Sequence, residues 1–336
     1  MPDPSSALAS AGCARHALVI AGLLAVALGI VVVRNGAGVS RLAADAVAMR
    51  EGGAEAATLD SPEALLAWIR AHPERASIVV WEDSARVLAV APEAVRPAPG
   101  LPVLLLGAEA ARREASLALD SLTVPALAGD RAAADALLRA LGRPAAEAVP
   151  DRLGVPDLDA PVPLDGLLLA WSEQAGGDVE AVPHAAWRDL AFVRDARLLA
   201  DDPNGTVDGG RRGGLGLSLD QQRSAASVGM PRGTAEGYAR LLRQALAGDS
   251  GGGGRFRRAL AEAAPTGLPE GVFLRRGGMQ GHLAVAGYAT PEAGPARVVV
   301  LLLGDLPHAV YGRLTEGALD AGLVLGLLLG EVTVGA

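Results

Sequence analysis

Lysine is absent: all 30 basic residues of this 336-residue chain are arginine. Phosphate-cradling loops of the G-x-x-x-x-G-K-[ST] type, Schiff-base catalysis and a Ser-x-x-Lys nucleophile all need a primary amine, so none of the three can operate here. Cysteine is nearly absent as well. Cys13 stands alone, which rules out an internal disulfide or a thiolate zinc cluster. No G-x-S-x-G elbow and no His-Glu-x-x-His helix occurs, and His72, His184, His282 and His308 are isolated in sequence. The expectation is therefore no metal and no other cofactor. Basic residues are also outnumbered by 38 acidic ones, giving a net charge of −8 and a pI near 5.2. Nothing in that balance recognises a phosphate backbone, and nucleic acid is not an expected partner.

What is present is a chain that is 50% hydrophobic and 20% charged, the composition of a globular protein with a sizeable core. Ala17 to Val33 carries no charged or polar side chain and lies between Arg15–His16 and Arg34. A bilayer needs about 20 apolar residues and tolerates about 17, so this run reads as a signal anchor. A cleaved signal peptide is the rival, but the run exceeds the usual apolar length and no A-x-A site follows it directly. The expected organisation is a short tail over 1–15, a transmembrane anchor over 16–34, a stalk over 35–59 and one domain over 60–330. With one span and a large downstream domain, that domain is expected to face the periplasm or exterior.

Ser61 and Pro62 supply an N-cap and an N1 proline for a helix whose stripe is Leu65, Leu66, Trp68 and Ile69, ended by Pro73. The runs Ser77–Glu82 and Arg86–Val90 read as a β-hairpin. Asp130 caps a helix with Ala133, Leu137, Leu138 and Leu141 at helical spacing, and Gly142 lies just beyond it. Thr234 opens another helix, followed by a Ser250–Gly254 stretch that reads as a flexible connector. GVFLRR, HLAVAGY and ARVVVLLL are three strands, the last suited to the middle of a covered sheet. Ala318–Leu329 is too short to span a membrane and is expected to pack on that sheet. The Gly-rich patch Gly209–Gly216 reads as a loop, and Asn204-Gly205-Thr206 as a turn. The fold class is mixed α/β, with a largely antiparallel sheet built from both chain ends and helices between.

Three stretches in this order carry a family resemblance: AGDRAAADALLRALG (Ala128–Gly142), GTAEGYARLLRQALAG, and LRRGGMQGHLAVAGYA followed by ARVVVLLLGDLP. Together they resemble the active-site-serine β-lactamases and penicillin-binding proteins, especially their β-lactamase-like serine hydrolase branch. The resemblance implies that Gly100 stands where the nucleophilic serine belongs and Val103 where its lysine belongs. Ala128, Gly129 and Asp130 stand for the Ser-Asp-Asn element, and Arg276, Gly277 and Gly278 for the Lys-Thr-Gly strand. Acyl transfer needs a nucleophile, a base in reach and oxyanion donors, and the first two are missing. A non-catalytic envelope domain is expected, with Arg276, Gly278 and Asp130 as ligand-binding residues for a cell-wall peptide or other carboxylate. Asp130 has a competing role as helix cap. The alternative is an active serine hydrolase recruiting Ser116 or Ser121.

Overall fold

The computed structural model describes residues 45–113, 117–174, 179–201, 217–247, 251–291 and 294–332. The chain divides into two compact units, Met1–Ala48 and Met49–Ala336. Of the first, only residues 45–48 are described, and they are helical. The expected anchor at 16–34, the Gly209–Gly216 patch, Asn204 and Ser116 all lie outside the described residues. Among the described residues no helix is long and apolar enough to cross a membrane.

In the second unit the elements run α1 (Gly53–Thr58), α2 (Pro62–Ala71), β1 (Ala76–Glu82), β2 (Ala85–Val90), β3 (Arg96–Pro97), α3 (Pro102–Arg112), α4 (Leu117–Ala128) and α5 (Arg131–Leu141). Two short helices follow, α6 (Arg143–Glu147) and α7 (Val149–Arg152), then α8 (Leu164–Glu173), α9 (His184–Asp201) and α10 (Leu219–Gly229). Next come β4 (Arg232–Gly233), α11 (Ala235–Ala247), α12 (Gly251–Glu262), β5 (Val272–Met279), β6 (His282–Ala289), β7 (Arg297–Leu303), α13 (His308–Gly317) and α14 (Leu319–Leu329).

The main sheet has the order β2-β1-β7-β6-β5, and every neighbouring pair is antiparallel. Strands from both ends of the body thus meet at its middle, where Ala76 pairs with Leu303 and Glu82 with Arg297. β7 is apolar along its length because it is covered twice: Val298, Val300 and Leu302 enter one core, and Val299, Leu301 and Leu303 the other. The first core holds α3, α5, α11 and α12, and the second holds α2, α13 and α14. A third, smaller core of Leu167, Trp171, Trp187 and Met230 lies under α8, α9 and α10.

Local signals acted as the residues dictate. Ser61 Oγ accepts the Ala64 N–H at 3.1 Å, and Thr234 Oγ1 accepts that of Gly237 at 2.8 Å. Two expectations need correction. The end of the segment read as a stalk forms helix α1, and the body begins at Met49 rather than near residue 60. Residues 251–254 of the expected flexible connector lie in α12, although glycine disfavours helix. Tertiary contacts override that preference: Phe256 and Leu260 are buried, and Arg255 donates to the carbonyls of Ala111 and Arg113, each at 2.8 Å.

Candidate functional site

A cleft of about 260 Å³ opens where strand β5, the edge of the sheet, meets the N-termini of α3 and α5. Its construction starts at β3, which pairs with β4 and so fixes the chain leading into the cleft; the Ala98 N–H then donates to the Pro231 carbonyl at 3.0 Å. Gly100 turns the chain with φ +75°, a left-handed conformation that favours glycine, and Pro102 starts α3. The opposite wall is formed by Pro161, Val162, Leu164, Met230 and Pro231.

Gly100, Val103, Gly129, Asp130, Gly277 and Gly278 all line this cleft, so six of the eight motif positions singled out from the sequence converge. Two do not. Ala128 does not line the cleft, where its neighbour Gly129 does. Arg276 lies on the other face of β5, where its Nε donates to the buried Asp320 carboxylate at 2.8 Å. Strand alternation turns Arg275 inward instead, and its Nε donates to the Gly100 carbonyl at 3.3 Å. The ligand-binding role expected of Arg276 is geometrically open to Arg275.

Arg275 occupies the space between the first two motif positions. A Cβ at Gly129 would lie 2.6 Å from its Nη1, and one at Gly100 would lie 3.5 Å from its Nη2. Burial lowers the Arg275 pKa, and among the described residues no carboxylate pairs with it. Asp130 performs its capping role, accepting the Ala133 N–H at 3.1 Å, while still bordering the cleft. Among the described residues lining the cleft there is no serine, threonine, tyrosine, cysteine or histidine. Moving the first motif by one residue changes nothing, because Pro99 and Pro102 line it too. Ser121 sits exposed on α4 and does not line the cleft.

Sequence reading passed over Asp135, which is buried at the cleft floor and accepts the N–H groups of Leu164 and Asp165, each at 2.9 Å. It thereby ties the start of α8 to α5. Burial pushes its pKa from 3.8 up to about 6, against the pull of those two amide donors. Because the native state keeps this proton where the unfolded chain has lost it, the associated stability is complete below the unfolded value. It is lost as pH rises through about 6. A shift of this size corresponds to about 3 kcal/mol. Asp135→Asn is expected to flatten the pH dependence of urea unfolding between about pH 4 and 7, by an amount of that order. An unchanged pH profile would contradict the assignment. The far wall has a second carboxylate tie. Asp159 accepts from His184 Nε2 at 2.8 Å and from the Arg232 N–H at 2.8 Å. Burial opposes its ionisation, but those hydrogen bonds and the neighbouring charges hold its pKa below the usual carboxylate value.

No family model matches the chain, and no curated protein matches it in sequence. Solved structures similar to it include β-lactamases. One is the β-lactamase of Sphaerobacter thermophilus, at 15% identity and a TM-score of 0.47, covering 78% of this chain and 97% of that one. A variant of the reconstructed last common ancestor of the Gram-negative bacterial class A β-lactamases gives 16% identity and a TM-score of 0.47, covering 82% and 99%. The ancestral class A β-lactamase itself gives 17% identity and a TM-score of 0.42, covering 80% and 98%. Likenesses at this level carry no inference about activity, which rests on the cleft's own residues.

Proposed function

We propose that this chain is a β-lactamase-like domain that binds in its cleft without catalysing acyl transfer, held at the cell envelope by the apolar segment Ala17–Val33. The observation that carries this reading is the chemistry of the cleft lining: its described side chains offer no hydroxyl, thiol, imidazole or amine as an attacking group, and the carboxyl groups of Asp130 and Asp135 are engaged by backbone N–H groups. The surroundings of Gly100 support it further. A Cβ there would lie 2.9 Å from the Gly277 Cα, in a backbone conformation unsuited to a side chain. The cleft does keep a half-buried guanidinium, that of Arg275, set among apolar walls. That combination suits a ligand with one carboxylate and an apolar body, such as the end of a cell-wall peptide.

The test uses the full chain in detergent, incubated with fluorescent penicillin and a chromogenic cephalosporin. The expected result is no turnover and no covalent adduct by intact mass. Stoichiometric acylation would sink the reading, as would a serine labelled by a fluorophosphonate probe and lost on Ser→Ala substitution. Gly100→Ser is expected to restore neither activity, because the added side chain meets the Gly277 backbone rather than open cleft. Binding of an acyl dipeptide with a free C-terminal carboxylate should weaken at least tenfold in Arg275→Ala. For the anchor, alkaline carbonate should leave the chain in the membrane pellet; release into the supernatant would remove that part of the proposal.

A further inference from the structure

Away from the cleft, three residues from distant parts of the body converge: Glu51, Asp220 at the start of α10, and His308 at the start of α13. One donor atom of each lies within 4.8 Å of the others. We propose that they form a site for a divalent cation of the zinc class.

Pre-organisation is the first support. The His308 side chain is 1% exposed, and its Nε2 faces Asp220 Oδ1 at 2.9 Å. Its other nitrogen, Nδ1, lies 2.6 Å from the carboxamide nitrogen of Gln280, whose oxygen and nitrogen can exchange places by a half-turn of the amide. With that carboxamide turned so that its oxygen accepts from Nδ1–H, the Nε2 lone pair points at the two carboxylates. This is the outer-sphere arrangement that orients metal-binding histidines. Glu51 is held beside them by its own backbone, since its carbonyl accepts the Ala309 N–H at 3.1 Å. Its carboxylate and that of Asp220 are half-exposed or more, so the carboxyl groups are free to close on an ion.

Charge is the second support. Arg223 is the cation now serving the cluster, with Nη1 3.0 Å from Glu51 and Nη2 3.2 Å from Asp220. Its Nε also lies 3.9 Å from Asp305. Three carboxylates thus share one guanidinium, leaving an excess of negative charge. An incoming dication neutralises Glu51 and Asp220, while Arg223 retains Asp305 and the Leu306 carbonyl as partners. One imidazole and two carboxylates leave a coordination position for water and favour zinc over magnesium.

The experiment is equilibrium dialysis of the full chain, in detergent, against Zn²⁺ or Mg²⁺, with Co²⁺ absorption as a second readout of an imidazole ligand. The expected result is a saturable Zn²⁺ site weakened at least tenfold by Glu51→Gln, Asp220→Asn and His308→Gln, and about tenfold by Gln280→Ala. Arg223→Gln should tighten it by removing the competing cation. Glu51→Gln and Asp220→Asn change exposed side chains, so they test the site without endangering the fold. Zn²⁺ binding unaffected by those two variants, an absence of saturable binding up to millimolar Zn²⁺, or a preference for Mg²⁺ would each overturn the proposal.

Discussion

Replacing Arg96 with alanine should lower the stability of the body by about 3–5 kcal/mol, read as a shifted urea midpoint with unchanged slope. Arg96 is 8% exposed, and its guanidinium spends its donors on four acceptors. Nε donates to Ser77 Oγ at 2.7 Å, Nη1 to the Glu74 carbonyl at 2.7 Å, and Nη2 to the carbonyls of Pro73 at 2.6 Å and Ala76 at 3.3 Å. Truncation strands these acceptors and leaves a cavity where the Arg96 side chain reaches from β3 to the start of β1. Each abandoned buried acceptor costs about 1–3 kcal/mol, partly recovered by water. Arg96→Lys should recover less than half of the loss, because a single ammonium cannot span the fork of acceptors that the guanidinium reaches. A stability change under about 1 kcal/mol would mean that solvent reaches these carbonyls freely.

The second large effect is expected at Gly277, where β5 presses on the entrance to the cleft. A Cβ there would overlap the Pro99 carbonyl and lie 2.8 Å from the Gly100 Cα. Both are backbone atoms, and Gly277 is itself fixed by pairing with Ala284. With no flexible side chain to yield, Gly277→Ala must push the strand and the 99–101 turn apart, at a cost of about 3 kcal/mol. Its neighbour provides the comparison. A Cβ at Gly278 meets the ends of Leu283 at 3.1 Å and Tyr311 at 3.3 Å, which can rotate away. Gly278→Ala should therefore be much milder. Equal behaviour of the two variants in urea unfolding would show that the Pro99–Gly277 contact yields easily.

These two positions also mark what the sequence makes readable. Elements announced by local chemistry appear where expected: the Ser61-Pro62 helix start, the Asp130 cap, and the uninterrupted apolar run of β7, which requires cover on both faces. Facts decided by remote partners were not legible. Two adjacent arginines on a strand must face opposite ways, but which one enters the cleft depends on Asp320, 44 residues further on, which draws Arg276 outward. The glycine run at 251–254 folds as helix because Arg255 and Phe256 reach neighbours that no local pattern reveals. Glu51, Asp220 and His308 are each unremarkable in sequence, and only the tertiary structure brings them together.

The pairing of β1 with β7 has a consequence for how the molecule is made. The centre of the sheet joins residues 76–82 to residues 297–303, so a ribosome must deliver nearly the whole body before that seam can close. Until then the β1–β2 hairpin has a bare flank and apolar side chains with no permanent neighbour. Such distant pairing makes for slow acquisition of the native state. It also leaves a nascent intermediate that invites aggregation or a chaperone's grip during synthesis.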